Sequence, residues 1–107
     1  MIEITQALVR EWFDYNPLTG VVTRKKQSLN NKHAVGEVVG SKDAEKGYLY
    51  TQFFGKRYKL HRLIWFWMTG KWPDNIDHKD RRRDNNIWTN LRKSNPKLQA
   101  QNRYTTL

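Results

Sequence analysis

Asp77-His78 is followed thirteen residues later by Asn90-Leu91-Arg92, and then at once by Asn95-Pro96. This ordered set constrains the chain more than any other feature. Thirteen residues is room for a loop that returns as a second short strand. Asn95-Pro96 is a good helix start, an N-cap residue followed by proline at the first helical position. The pattern therefore predicts two short strands, a polar loop between them and a helix after them. The chemistry is equally pointed. A carboxylate can hold a hard divalent cation, and the imidazole beside it can take a proton from water. Asn90 is placed to brace the loop carrying the histidine.

The charge balance points to a polyanionic partner. The 107 residues are enough for one modest domain and contain 20 Lys and Arg against 10 acidic residues. From Lys56 to Arg103 there are 13 basic residues and 4 Asp, a balance of +9, and this basic region coincides with the motif. A generally basic, ribosomal-type RNA-binding protein would share the charge but would not explain the order of the motif. There are no cysteines, which excludes cysteine zinc fingers and disulfide scaffolds and is compatible with a reducing cytosol. No apolar run is long enough to span a bilayer, and Met1-Ile2-Glu3-Ile4 lacks a signal-peptide start. The expectation is a cytoplasmic protein that uses no membrane.

Along the chain, Thr5 can cap a first helix that places Leu8, Val9, Trp12 and Phe13 on one face. Asn16-Pro17 ends it and Thr19-Gly20 makes a turn. Val21 to Lys26 reads as a strand, Val35 to Gly40 as a weaker one and Gly47 to Phe54 as a clear one. Gly55-Lys56 suits a two-residue hairpin turn, and Arg57 to Leu60 returns with Arg57 and Lys59 on one face. His61 to Met68 is apolar nearly all round, as in a buried helix, and Thr69-Gly70 ends it. His61 opens that helix and is expected to be structural; His33 lies in a polar loop. Trp72 and Trp88 are expected to pack around the motif. A last helix is predicted from about Pro96 to Arg103. The fold class is α+β. A helix and antiparallel strands occupy residues 1–60, and a buried helix and a strand–strand–helix unit occupy 61–107, all within one domain.

His61-Arg62-Leu63-Ile64-Trp65, Thr69-Gly70-Lys71-Trp72-Pro73, Asp77-His78, Asp84-Asn85, Asn90-Leu91-Arg92 and Asn102 occur in this order. They are preceded by Phe13-Asp14-Tyr15-Asn16-Pro17-Leu18-Thr19-Gly20 and Gly47-Tyr48-Leu49. The set resembles the small phage-type HNH homing endonucleases, whose core is the ββα-metal motif. No single tripeptide is specific; the order and spacings are. The resemblance implies that Asp77 is a metal ligand, that His78 is the general base and that Asn90 fixes the loop and the His78 backbone or ring. It implies a second metal ligand, His or Asn, nine residues after Asn90. That position is Gln99, a departure that keeps the amide oxygen but lengthens its stem. Asn102, one turn further along the same face, is the alternative ligand.

The expected activity is hydrolysis of a DNA phosphodiester with one Mg²⁺ or Mn²⁺. His78 must be neutral, so activity should fall below roughly pH 6.5, the reference histidine value. Arg57, Lys59, Arg62, Arg81, Arg82, Arg83, Arg92, Lys97 and Arg103 are the candidate contacts to double-stranded DNA. One such site cuts one strand, as a monomer or within a homodimer; a phage-encoded chain would work in the host cytoplasm. The rival reading is a non-catalytic DNA-binding protein that keeps the fold and has lost the metal through Gln99.

Overall fold

The computed structural model describes residues 3–28 and 30–94. The Thr5 hydroxyl accepts a hydrogen bond from the Leu8 N–H at 3.1 Å and starts helix α1, Gln6–Trp12. The chain then extends into β1 (Phe13–Asn16), which pairs antiparallel with β2 (Val21–Arg24) across the turn at Pro17–Gly20. A second sheet runs β3 (Ser41–Lys42), β4 (Leu49–Phe53), β5 (Lys56–Lys59), all antiparallel neighbours. Helix α2 (Leu60–Thr69) follows without a loop. Gly70 ends it in the left-handed conformation at φ +76°, its N–H on the Phe66 carbonyl at 2.8 Å. The third sheet is the two-stranded pair β6 (Ile76–His78) and β7 (Leu91–Lys93), with a short 3₁₀ turn, Trp88–Asn90, just before β7. This mixture of helices and small antiparallel sheets is the α+β architecture that the sequence predicts.

The core gathers apolar side chains from both helices and all three sheets. Val9, Phe13, Leu60, Leu63 and Ile64 are fully buried, and Tyr15, Val22, Val39, Phe53, Phe66 and Leu91 join them. Helix α2 lies in the middle, as its apolar composition requires. Its C-terminal end is held to α1: the Trp67 carbonyl accepts from Gln6 Nε2 at 3.0 Å and Arg10 Nε at 2.9 Å. Trp72 stacks flat on Phe66, centroids 4.1 Å apart, and Trp88 packs against Trp65 at 4.9 Å. Among the described residues no helix is long and apolar enough to cross a membrane.

Local boundaries differ from the sequence expectation in several places: strand β3 is unexpected, and β2 ends at Arg24 and not at Lys26. Helix α1 stops at Trp12 and not at Asn16-Pro17: Phe13–Asn16 is strand β1, because Asn16 before Pro17 favours extended backbone and β2 supplies a partner. The β4–β5 turn is Phe54-Gly55, both at positive φ (49° and 78°), and not Gly55-Lys56. A phenylalanine tolerates this because its ring packs on Trp12 and Phe53. Leu60 starts α2 instead of ending a strand. Between Val35 and Gly40 only Val38 makes a bridge, to Thr23, as the glycines at 36 and 40 suggest. The helix expected from Pro96 lies outside the described residues.

Candidate active site

Strand β6 carries Asp77 and His78 on opposite faces. Asp77 is half-buried and His78 is buried, 4% exposed. The ladder sets Asp77 opposite Arg92 and His78 opposite Leu91. Arg92 therefore closes a cross-strand ion pair: its Nη2 and Nε both donate to Asp77 Oδ2, at 2.8 and 3.1 Å. Among the described residues Asp77 Oδ1 accepts no hydrogen bond.

The His78 ring is held by an amide. Its Nε2 lies 2.9 Å from Asn86 Oδ1, an atom that can only accept. With the amide in this orientation the proton sits on Nε2, and the lone pair is on Nδ1. The ring meets His61 edge-on at 4.8 Å and lies 6.2 Å from Tyr48. His61 is buried, and its pKa is pushed down to about 3, first by burial and then by the neighbouring His78, Lys59 and Arg62 charges. His61 thus stays neutral beside His78 at ordinary pH.

Asn90 braces the loop between the two strands. Its Oδ1 accepts from the Asp80 N–H at 3.0 Å; its Nδ2 donates to Asp80 Oδ1 at 2.9 Å and to the Asn85 carbonyl at 2.8 Å. The Asn90 carbonyl accepts from the Lys79 N–H, extending the β6–β7 pairing by one bond past His78. Asp80 in turn accepts from Asn85 Nδ2 and the Arg82 N–H, and these bonds hold its carboxyl below the usual range. The Asn90 side chain reaches Asp80 and Asn85; the hydrogen bond to the His78 ring comes from Asn86. Sequence reasoning did not single out Asn86. Two adjacent asparagines in a polar loop, Asn85-Asn86, were the available signal, and either one has the ordinary reading of a turn residue.

The basic side chains divide by what they touch. Arg62 donates to the Pro73 and Asp74 carbonyls at 2.8 and 3.2 Å and anchors the approach to β6. Arg83 donates to the Lys46 carbonyl at 2.8 Å, and both Arg83 and Lys59 lie over the Tyr48 ring, at 4.9 and 4.7 Å. The two cations share the Tyr48 ring, which lies 6.2 Å from the His78 ring. Arg57 stacks on Tyr50 at 3.8 Å and faces Asp43. Arg81, at φ +63°, and Arg82 are exposed at the loop tip. Gln99, Asn102, Lys97 and Arg103 lie outside the described residues. Among the described residues no group of three or more His, Cys, Asp or Glu side chains could hold a metal. The only acid beside His78 in sequence, Asp77, needs partners from elsewhere for such a role.

Comparison with known proteins bears on the family and the fold. The profile of the HNH endonuclease family matches residues 58–99, a span that runs from β5 to beyond β7. Among curated protein sequences no relative matches. Among solved structures, one described as "DNA binding and cleavage by the HNH homing endonuclease I-HmuI" is similar with a TM-score of 0.65 and 26% identity. The similarity covers 88% of this chain and 52% of that one, so this chain spans about half the length of that endonuclease.

Proposed function

The chain is an HNH family protein, and on that premise we propose that it is a metal-dependent DNA endonuclease acting through Asp77 and His78. The observation that supports this most is the buried His78, fixed through Nε2 by Asn86 with Asp77 next to it on β6. In this reading His78 Nδ1 takes the proton from the attacking water while Asn86 keeps the ring from rotating. Lys59, over the Tyr48 ring, and the exposed Arg81 and Arg82 at the loop tip are the cations that hold the phosphate backbone in this reading. The donor chemistry fits a hard cation: Asp77 offers Oδ1, and an amide oxygen from Gln99, or Asn102 in its place, is of the same hard type. When bound, one Mg²⁺ or Mn²⁺ supplies neutralisation of the phosphate and of the leaving 3′ oxygen. Each site cuts one strand, so a double-strand break needs two copies or two successive nicks.

The test is plasmid nicking with and without chelator, beside band-shift affinity on the same preparation. His78→Ala is expected to lower nicking by about 10²–10⁴ and to leave DNA affinity nearly unchanged. Wild-type nicking by that variant eliminates His78 as the base. Wild-type protein that binds DNA and never nicks supports the non-catalytic reading. The same assay assigns the second ligand. Gln99→Ala should raise the metal concentration needed, with partial recovery at excess metal, and Gln99→Asn or Gln99→His should keep or increase the rate. If Gln99→Ala matches wild type and Asn102→Ala loses metal response, Asn102 is the ligand.

A further inference from the structure

The turn between β1 and β2 lies outside the matched family segment, yet it is seated on the loop that holds His78. Three successive loop residues receive it. The Tyr15 hydroxyl donates to the Asn86 carbonyl at 2.6 Å, a buried bond between residues 71 apart in sequence. Gly20, at φ +78°, approaches so closely that a Cβ there would lie 2.5 Å from Ile87 N and 2.6 Å from Asn86 C. The Trp88 N–H donates to the Pro17 carbonyl at 3.0 Å. Burial holds the Tyr15 hydroxyl protonated far above the usual phenol range, so it remains a donor.

Asn86 itself is 2% exposed, and its Nδ2 is buried without a hydrogen-bond partner among the described residues. A buried amide with half of its hydrogen-bonding capacity unused calls for an explanation. A leucine of similar size would avoid that penalty but could not accept from His78. Among the described residues, the hydrogen bond that the Asn86 side chain does make is the one to the His78 ring.

We propose that β1 and its turn into β2 are a positioning element for the base: Tyr15 on β1 and Gly20 in the turn fix the Asn86 backbone, and Asn86 Oδ1 fixes the His78 proton on Nε2, leaving Nδ1 to act. Tyr15, Gly20 and Asn86 are positioning residues, since none touches the reacting atoms. The proposal rests on the reading of His78 as general base, but its geometric half can be measured without any cleavage.

The experiment records two-bond ¹H–¹⁵N correlations of the His78 ring at about pH 8.5, well above the reference histidine value. Nicking kinetics follow on the same proteins: wild type, Tyr15→Phe, Asn86→Leu and Asn86→Asp. Wild type should show the Nε2–H tautomer alone. Asn86→Leu should show a tautomer mixture and a kcat lowered by less than the roughly 10²–10⁴ expected for losing the base itself, with KM unchanged. Tyr15→Phe, the mildest change, should shift both readouts the same way by a smaller factor. Asn86→Asp keeps an acceptor oxygen and should restore the single tautomer. An unaltered tautomer and kcat in both Tyr15→Phe and Asn86→Leu overturn the proposal. A wild type with the expected tautomer and no nicking overturns the nuclease reading and leaves the positioning geometry standing.

Discussion

His61 is a titratable residue that the fold keeps neutral, and this fixes the sign of its contribution to acid stability. Its folded pKa is pushed down to about 3, below the unfolded value of about 6.5. Between those values the unfolded chain binds a proton that the folded chain does not. Stability is therefore fully present above about pH 6.5 and declines as pH falls toward 3, at up to about 1.4 kcal/mol per pH unit for one proton. Asp80 and Asp84, whose pKa values are also lowered, add loss of the same sign only nearer the unfolded carboxylate value of about 4. We expect urea unfolding of wild type and His61→Leu to diverge across roughly pH 4.5–6.5, with the leucine variant the flatter of the two. Parallel curves would show that His61 titrates in the folded protein as it does in the unfolded chain.

One side chain, Asn90, braces the first part of the loop between β6 and β7 at Asp80 and Asn85. Asn90 makes three hydrogen bonds to Asp80 and Asn85, and losing them should cost about 2–3 kcal/mol, at about 1 kcal/mol each. Asn90→Ala is expected to lower the Tm and to speed tryptic cleavage at Arg81-Arg82-Arg83, whose exposed backbone the brace holds. Cleavage at the wild-type rate would mean that the loop keeps its form without Asn90. Asn90 was legible in the sequence because its partners lie within ten residues, as were the Thr5 cap, the Gly70 stop and the apolar run of α2. All of these are written in local chemistry. Strand β1 and the seat of its turn on Asn86 were not legible in that way. The Phe13–Gly20 segment was recognised for its resemblance, but its contact with the loop spans 71 residues and depends on a glycine that leaves room for another backbone. The Asp77–Arg92 pair was hidden for a related reason: both residues were singled out, but only the strand register sets them opposite each other.

Charge acts at the scale of the whole chain, and the structure divides the basic residues into bound and available ones. The +9 balance between Lys56 and Arg103 makes a salt-sensitive affinity for DNA the expected behaviour. Several of these cations already have protein partners: Arg62 on two carbonyls, Arg83 on the Lys46 carbonyl, Arg92 on Asp77. Engaging a phosphate would cost each of them part of an existing bond. Arg81 and Arg82 make no side-chain bond among the described residues and stand at the tip of the braced loop. They can meet a backbone phosphate without breaking a side-chain hydrogen bond, although Arg82 also faces the Asp80 and Asp84 charges. Each phosphate contact adds about 0.9 to the slope of log affinity against log salt. The double variant Arg81→Ala, Arg82→Ala should flatten that slope by about 1.8 at most, and by more than Arg62→Ala does. The measurement is band-shift affinity at a series of salt concentrations on one duplex. An unchanged slope in the double variant would show that the loop tip faces away from DNA. A larger loss from Arg62→Ala would point to the α2 side of β6 as the surface that carries the backbone.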